Sequence, residues 1–134
     1  FCEIPSKDDR DGLIVHRGTE CYVVMNLYPY NPGHLLVCAY RHVADLTDLS
    51  ESERNEISSL TAHAMKTLRK VSSPAGFNLG MNQGAISGAG VAAHIHQHVV
   101  PRWSGDANFM PIIGQTKVLP QLLNDTRDAL AAAW

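Results

Sequence analysis

Three histidines at alternate positions, His94, His96 and His98 in "AAHIHQHVVPRW", are the residues of this chain best suited to chemistry. An ordinary imidazole titrates near pH 6.5, so a row of them at neutral pH offers uncharged nucleophiles or bases beside cationic rings. The residues between and after them, Ile95, Gln97, Val99 and Val100, give most of a strand pattern. Side chains alternate across a strand, so the three rings are predicted to share one face, starting about 6.5 Å apart. Ile95 and Val99 then point into a core.

Three uses of such a row compete. The rings could be exposed or internally hydrogen-bonded members of a structural strand. They could ligate Zn²⁺, since His-x-His places two imidazoles near one ion. Linear spacing makes the outer rings diverge, however, and the preceding loop offers neither carboxylate nor cysteine. They could attack phosphorus. The preceding loop, "NQGAISGAGVAAH", carries Gly84, Ser87, Gly88 and Gly90, and glycine-rich backbone lets amide N–H groups ring an anion. Loop and histidines together favour the third use, with no metal ligand set.

The elements that must position these residues are legible. "LIVH" (Leu13–His16) and "CYVVMNL" (Cys21–Leu27) are rich in β-branched and aromatic residues, as strands are. "YPYNPGH" is a tight connection, and "HLLVCA" (His34–Ala39) is the strand returning from it, which makes an antiparallel hairpin. Ser50 and Glu53 form a capping box, and Ile57, Leu60, Ala64, Leu68 and Val71 follow at helical spacing until Pro74 and Gly76. "FNLGMN" (Phe77–Asn82) returns to strand character. "SGDANFMP" is turn-rich, and a last helix is expected from about Pro120. The expectation is an α+β fold, an antiparallel sheet with one long and one C-terminal helix.

With 134 residues, 45% of them hydrophobic, the chain fits a single domain spanning 1–134. It opens on Phe1, as expected of a piece trimmed from something longer. A net charge of −2 gives no general attraction to nucleic acid or membrane, so neither is an expected partner, and local groups must hold any anionic substrate. The three scattered cysteines, Cys2, Cys21 and Cys38, suit a reducing compartment. No leader pattern and no bilayer-length apolar run is seen, and the expected location is cytoplasmic.

"HIHQHVV" resembles the motif of the histidine-triad family of nucleotide hydrolases and transferases, His-Φ-His-Φ-His-Φ-Φ with Φ apolar, apart from Gln97. "FCEI", "NLYPYNPGHLLVCAYRHVADLTDL" and "GFNLGMNQGAISGAGVAAHIHQHVVPRW" are similar to family blocks in the expected order, which implies the histidine-triad fold. The resemblance implies that His96 is the nucleophile, forming a covalent nucleotidyl-imidazole, while His94 and His98 contact phosphate oxygens and orient its ring. It makes His34 a pocket residue, Asn26 a holder of the nucleotide near its ribose, and Asn82 a contact of the scissile phosphate region. Gly88 and Gly90 match the loop whose amides face the α-phosphate, with Ser87 beside them. The family is generally homodimeric, so a homodimer or higher homo-oligomer is expected, with Tyr28 and Tyr30 at its interface.

"PRW-x-GD-x-NFMP" is similar to the bacterial branch that phosphorolyses diadenosine tetraphosphate. That branch uses a dinucleoside polyphosphate and inorganic phosphate, for which Arg102 and Ser104 are the nearby candidates. No cofactor is expected in the chemical step, and Mg²⁺ at most in substrate binding. Hydrolysis of the same dinucleotides or of nucleoside phosphoramidates is the alternative, and a non-catalytic nucleotide-binding module a further one. Ile4, Leu27 and Leu36 are candidates for an apolar base slot. His16, His42 and His63 are expected to serve structure or face solvent, and Trp103 to pack. Two departures from the family stand out: the loop lacks its Gln-Ser or Gln-Thr pair, and only Cys2 remains of a Cys-x-x-Cys that binds structural zinc in some members.

Overall fold

The structure, a computed structural model, describes residues 1–106 and 122–134. Five strands form one sheet: β1 (Ile14–Arg17), β2 (Cys21–Met25), β3 (Leu35–Ala39), β4 (Gly76–Gly80) and β5 (His96–Arg102). Helix α1 spans Glu51–Ser72 and helix α2 Leu123–Ala133. The spatial order is β1-β2-β3-β5-β4, with every neighbouring pair antiparallel. This is the expected α+β architecture. The tail of the "SGDANFMP" stretch and the helix start expected at Pro120 lie outside the described residues.

Alternation sorts the strand residues into two clusters. Val23, Met25, Leu35, Val37, Ala39 and Val99 share a core with Ile57, Leu60, Ala64 and Leu68 of α1 and Leu130 of α2. This is the apolar stripe predicted for the long helix, except that Val71 is more than a third exposed. Tyr22, Val24, Leu36 and Cys38 form a smaller cluster on the opposite face, with Phe1 and Ile4 against it. In the β3–β5 register His96 faces Cys38 and His98 faces Leu36. Cross-strand partners share a face, so both imidazoles stand on the side away from the helices.

The capping box forms as expected: Ser50 Oγ accepts from the Glu53 N–H while Glu53 accepts from the Ser50 N–H. Glu53 is 5% exposed and also accepts twice from Arg41, at 2.7 and 3.0 Å, which holds its carboxyl down at about 2. One carboxylate thus ties the segment after β3 to the start of the helix. The helix ends on Ser73, in the left-handed region at φ 47°, one residue ahead of the Pro74 expected to stop it. At the β2–β3 turn Gly33 has φ 76°, and a Cβ there would meet Leu68 Cδ2 at 2.9 Å. Only glycine passes at that point, and the next residue is His34.

Candidate active site

The strand begins at His96, so the three histidines do not share one regular face. His94 lies in a bend just before β5, because Ile95 N–H donates to Val43 O rather than to a sheet neighbour. The His94 ring is 2% exposed, with Nε2 donating to Ala39 O at 2.9 Å. It cannot contact a phosphate, which corrects the expectation for this residue. Its contribution comes through the backbone: the carbonyl of His94 accepts from His96 Nδ1 at 2.8 Å. With the proton fixed on Nδ1, neutral His96 carries its lone pair on Nε2, the atom needed for attack.

A second tautomer is set from the other direction. The Tyr30 backbone N–H donates to His34 Nδ1 at 3.1 Å, so that nitrogen is an acceptor and the proton of neutral His34 sits on Nε2. His34 Nε2 lies 2.9 Å from His98 Nδ1 and donates to it, which leaves neutral His98 with its proton on Nε2. That atom is buried without a partner among the described residues. Burial first, then the neighbouring His96, lowers the His98 pKa and keeps the ring neutral. The pair therefore presents a lone pair from His96 and an N–H from His98, ring centroids 4.8 Å apart.

Asn26 completes the relay. Its Nδ2 lies 3.2 Å from His34 Nδ1 and its Oδ1 accepts from Tyr28 N–H, so it serves turn and site together. Two rings close the site that were not expected in it, Tyr30 having been assigned to the interface. Phe1 lies 4.8 Å from the His96 ring, and Tyr30 stacks near His34 and His98 at 4.8 and 5.9 Å. Both positions are remote from the triad in sequence, and no spacing rule links them to it.

His96 and His98 open onto a cavity of about 400 Å³, large enough for a nucleoside monophosphate. Ile4, Leu27 and Leu36 line it as expected, and Asn26, Asn82 and Gly90 border it. The loop assignments are only partly met. Ser87 Oγ donates to Gly84 O and Gly88 N–H to Ala85 O, so a 3-10 turn consumes both donors, and neither residue borders the cavity. Arg102 is committed to Asp106 through Nε and Nη2 at 2.7 and 2.8 Å and to Asn78 through Nη1. Its charge is therefore matched by Asp106. Ser104 is exposed in a turn and borders no cavity, while Trp103 donates to Ser72 O as a packing residue.

A separate cluster gathers behind the triad. Cys2 Sγ lies 3.1 Å from His42 Nδ1 and 3.5 Å from His94 Nδ1, and the three ligand atoms are within 4.8 Å of one another. The Ala39 carbonyl holds the His94 proton on Nε2, leaving Nδ1 as a lone pair toward the cysteine, as a metal ligand requires. One thiol and two imidazoles fit zinc, with a fourth ligand to come from elsewhere. The sequence reading saw only Cys2 of this set and placed His42 with structure or solvent.

Comparison with known proteins agrees with this geometry. The chain is 54% identical over 134 residues to the AP-4-A phosphorylase of Mycobacterium tuberculosis, covering all of this chain and 69% of that protein. It is 35% identical over 82 residues to the asymmetrical bis(5'-nucleosyl)-tetraphosphatase of Schizosaccharomyces pombe, covering 61% and 44% of the two chains. Among solved structures, a zinc-bound histidine triad family protein from Mycobacterium smegmatis superposes with a TM-score of 0.75 at 25% identity, covering 90% of this chain and 82% of that one. The HIT domain matches residues 7–105, and with the triad, its supporting relay and the five-stranded sheet in place, this chain belongs to the HIT domain family.

Proposed function

We propose that this chain phosphorolyses diadenosine tetraphosphate to ATP and ADP through an adenylyl-His96 intermediate. The observation that carries the reading is the His96 Nδ1–H bond to the His94 carbonyl, which leaves the Nε2 lone pair at the wall of a nucleoside-sized cavity. The likeness to the Mycobacterium tuberculosis phosphorylase supports phosphate rather than water as the acceptor.

In the first step the His96 Nε2 lone pair attacks the α-phosphorus. A P–N bond forms and the P–O bond to the departing ATP breaks, while the His98 Nε2–H donates to the oxygen on which charge develops. His34 supports that donor from behind. In the second step an oxygen of hydrogen phosphate attacks the same phosphorus, the P–N bond breaks, and the electron pair returns to Nε2, releasing ADP. The proton stays on Nδ1, donated to the His94 carbonyl throughout, so no metal or added base is needed to recover the neutral ring.

Asn26 holds the ribose end, and the cavity's apolar wall takes the base. Cys2, His42 and His94 would hold a zinc ion, which supplies rigidity behind the triad. Mg²⁺ serves substrate binding only. Two copies of the chain associate, with the 73%-exposed Tyr28 at the contact. The free cysteines suit a reducing cytoplasm. Among the described residues no helix is long and apolar enough to cross a membrane.

Rapid quench with labelled diadenosine tetraphosphate is the test. Labelled adenylate is expected on the protein, and ADP is expected only when phosphate is present. The His96→Ala variant should bind nucleotide and form no adduct. Parent rates in that variant would end the proposal, and AMP in place of ADP at all phosphate concentrations would assign a hydrolase.

A further inference from the structure

A second cavity, of about 420 Å³, lies across His98 from the first and shares Tyr30, Asn82 and His98 with it as common walls. His96 borders only the first. Attack by His96 Nε2 expels the leaving group on the side opposite the ring, and the acceptor of the second step must enter from that same side. The phosphorus of incoming phosphate then takes the place vacated by the proximal phosphate of the departing ATP. A seat for it must adjoin the first cavity without containing the nucleophile. The second cavity meets both conditions.

Its polar lining also brings several hydrogen-bond donors together. Asn78 Oδ1 accepts from Arg102 Nη1, which directs the Asn78 amide and leaves both Nδ2 hydrogens uncommitted among the described residues. Three of the five guanidinium N–H groups of Arg102 are engaged by Asp106 and Asn78, leaving two. The carboxylate of Asp106 accepts from Arg102 at both oxygens and further from Asn31 Nδ2 and Trp103 N–H, so its oxygens are occupied and do not confront an anion. The uncommitted donors along this wall are Asn78 Nδ2, the rest of the guanidinium and the buried His98 Nε2–H, with the Asn82 amide beside them. A neutral cavity lined by donors suits a small oxyanion held by hydrogen bonds.

We infer that this cavity seats the inorganic phosphate that accepts the adenylyl group, with Asn78 and Arg102 as its donors. The inference rests on the phosphorolysis reading. In the step it serves, a phosphate oxygen forms the new P–O bond as the His96 P–N bond breaks, and the pair returns to Nε2.

The Asn78→Asp variant tests it. The exchange is isosteric and keeps an oxygen for Arg102, but replaces the two amide hydrogens with an acceptor that repels phosphate. Asn78→Ala removes the group outright. Adenylyl-enzyme and the ATP burst, measured without phosphate at saturating diadenosine tetraphosphate, are expected within about threefold of the parent in both. The phosphate concentration for half-maximal ADP release should rise at least tenfold, more in Asn78→Asp, with AMP gaining at fixed phosphate. An unchanged phosphate dependence overturns the assignment. So does a raised KM for diadenosine tetraphosphate with phosphate dependence intact, which would give the cavity to the leaving polyphosphate. A parent enzyme that releases no ADP at any phosphate concentration refutes the phosphorolysis reading instead.

Discussion

His34 touches neither substrate nor nucleophile in the proposed reaction, yet it fixes which nitrogen of His98 carries the proton. Replacing it with alanine removes the donor 2.9 Å from His98 Nδ1 and the acceptor of the Tyr30 N–H. Neutral His98 can then place its proton on Nδ1 and turn a lone pair toward the phosphoryl group. Loss of one donor aimed at developing charge costs about 2.7–4 kcal/mol, or roughly 10²–10³ in rate. Loss of this acceptor for the Tyr30 N–H adds about 1–3 kcal/mol of lost stability, so a melting curve must accompany the kinetics. The assay is the rate of adenylyl-enzyme formation in rapid quench at saturating substrate. Nucleotide affinity should change little, because the cavity walls stay in place. His34→Gln, which returns an amide donor near the position of Nε2, should recover at least tenfold of the loss. A folded His34→Ala protein within fivefold of the parent rate would refute the relay, as would equal rates in the two variants.

Stability should fall as pH drops below 6.5. The pKa values of His16, His94 and His98 are all lowered, burial being the largest cause for each. The unfolded chain then binds more protons than the native one between the native values and the ordinary 6.5, so the stabilisation is complete above 6.5 and is lost on acidification through that window. Glu53 keeps its own contribution down to about pH 4.5, the ordinary value for a glutamate, so urea midpoints between pH 8 and 5 isolate the histidines; a flat profile would contradict the argument. One thiol of three should react quickly with a disulfide reagent, because Cys2 is exposed while Cys21 and Cys38 are buried, with the Cys38 thiol pushed up to about 12. Zinc should protect that thiol and raise the melting temperature, and His42→Ala should weaken both effects; equal protection in His42→Ala would remove the metal assignment.

The fold was legible wherever periodicity was strong. Apolar, β-branched runs on either side of a tight connection marked β2 and β3, the Ser50–Glu53 box marked the start of α1, and the Ile95–Val99 alternation put those residues in the core. His34 and Asn26 were found through the family resemblance, and the short turn between them brings the two side chains together. The errors arose where contacts depend on three-dimensional closure. Strand spacing alone put His94 on the reactive face, but Val43 O captures the Ile95 N–H and the chain bends before β5 begins. Gly88 was read as an open phosphate donor, and its N–H instead closes a 3-10 turn on Ala85 O. Arg102 was read as a candidate for inorganic phosphate, and the Asp106 partner four residues on, in plain view, was not weighed with it. Phe1 reaches His96 across the whole length of the chain, and no local pattern could announce that contact.

The split within His94 bears on how the triad can vary. Its service to the nucleophile passes through a peptide oxygen, which every amino acid possesses, whereas its ring closes the junction of Cys2, His42 and Ala39. Drift at this codon would be filtered by how well the bend is braced, and only secondarily by turnover. A descendant that braced the same bend with another side chain could lose the first of its three signature imidazoles and still transfer nucleotides.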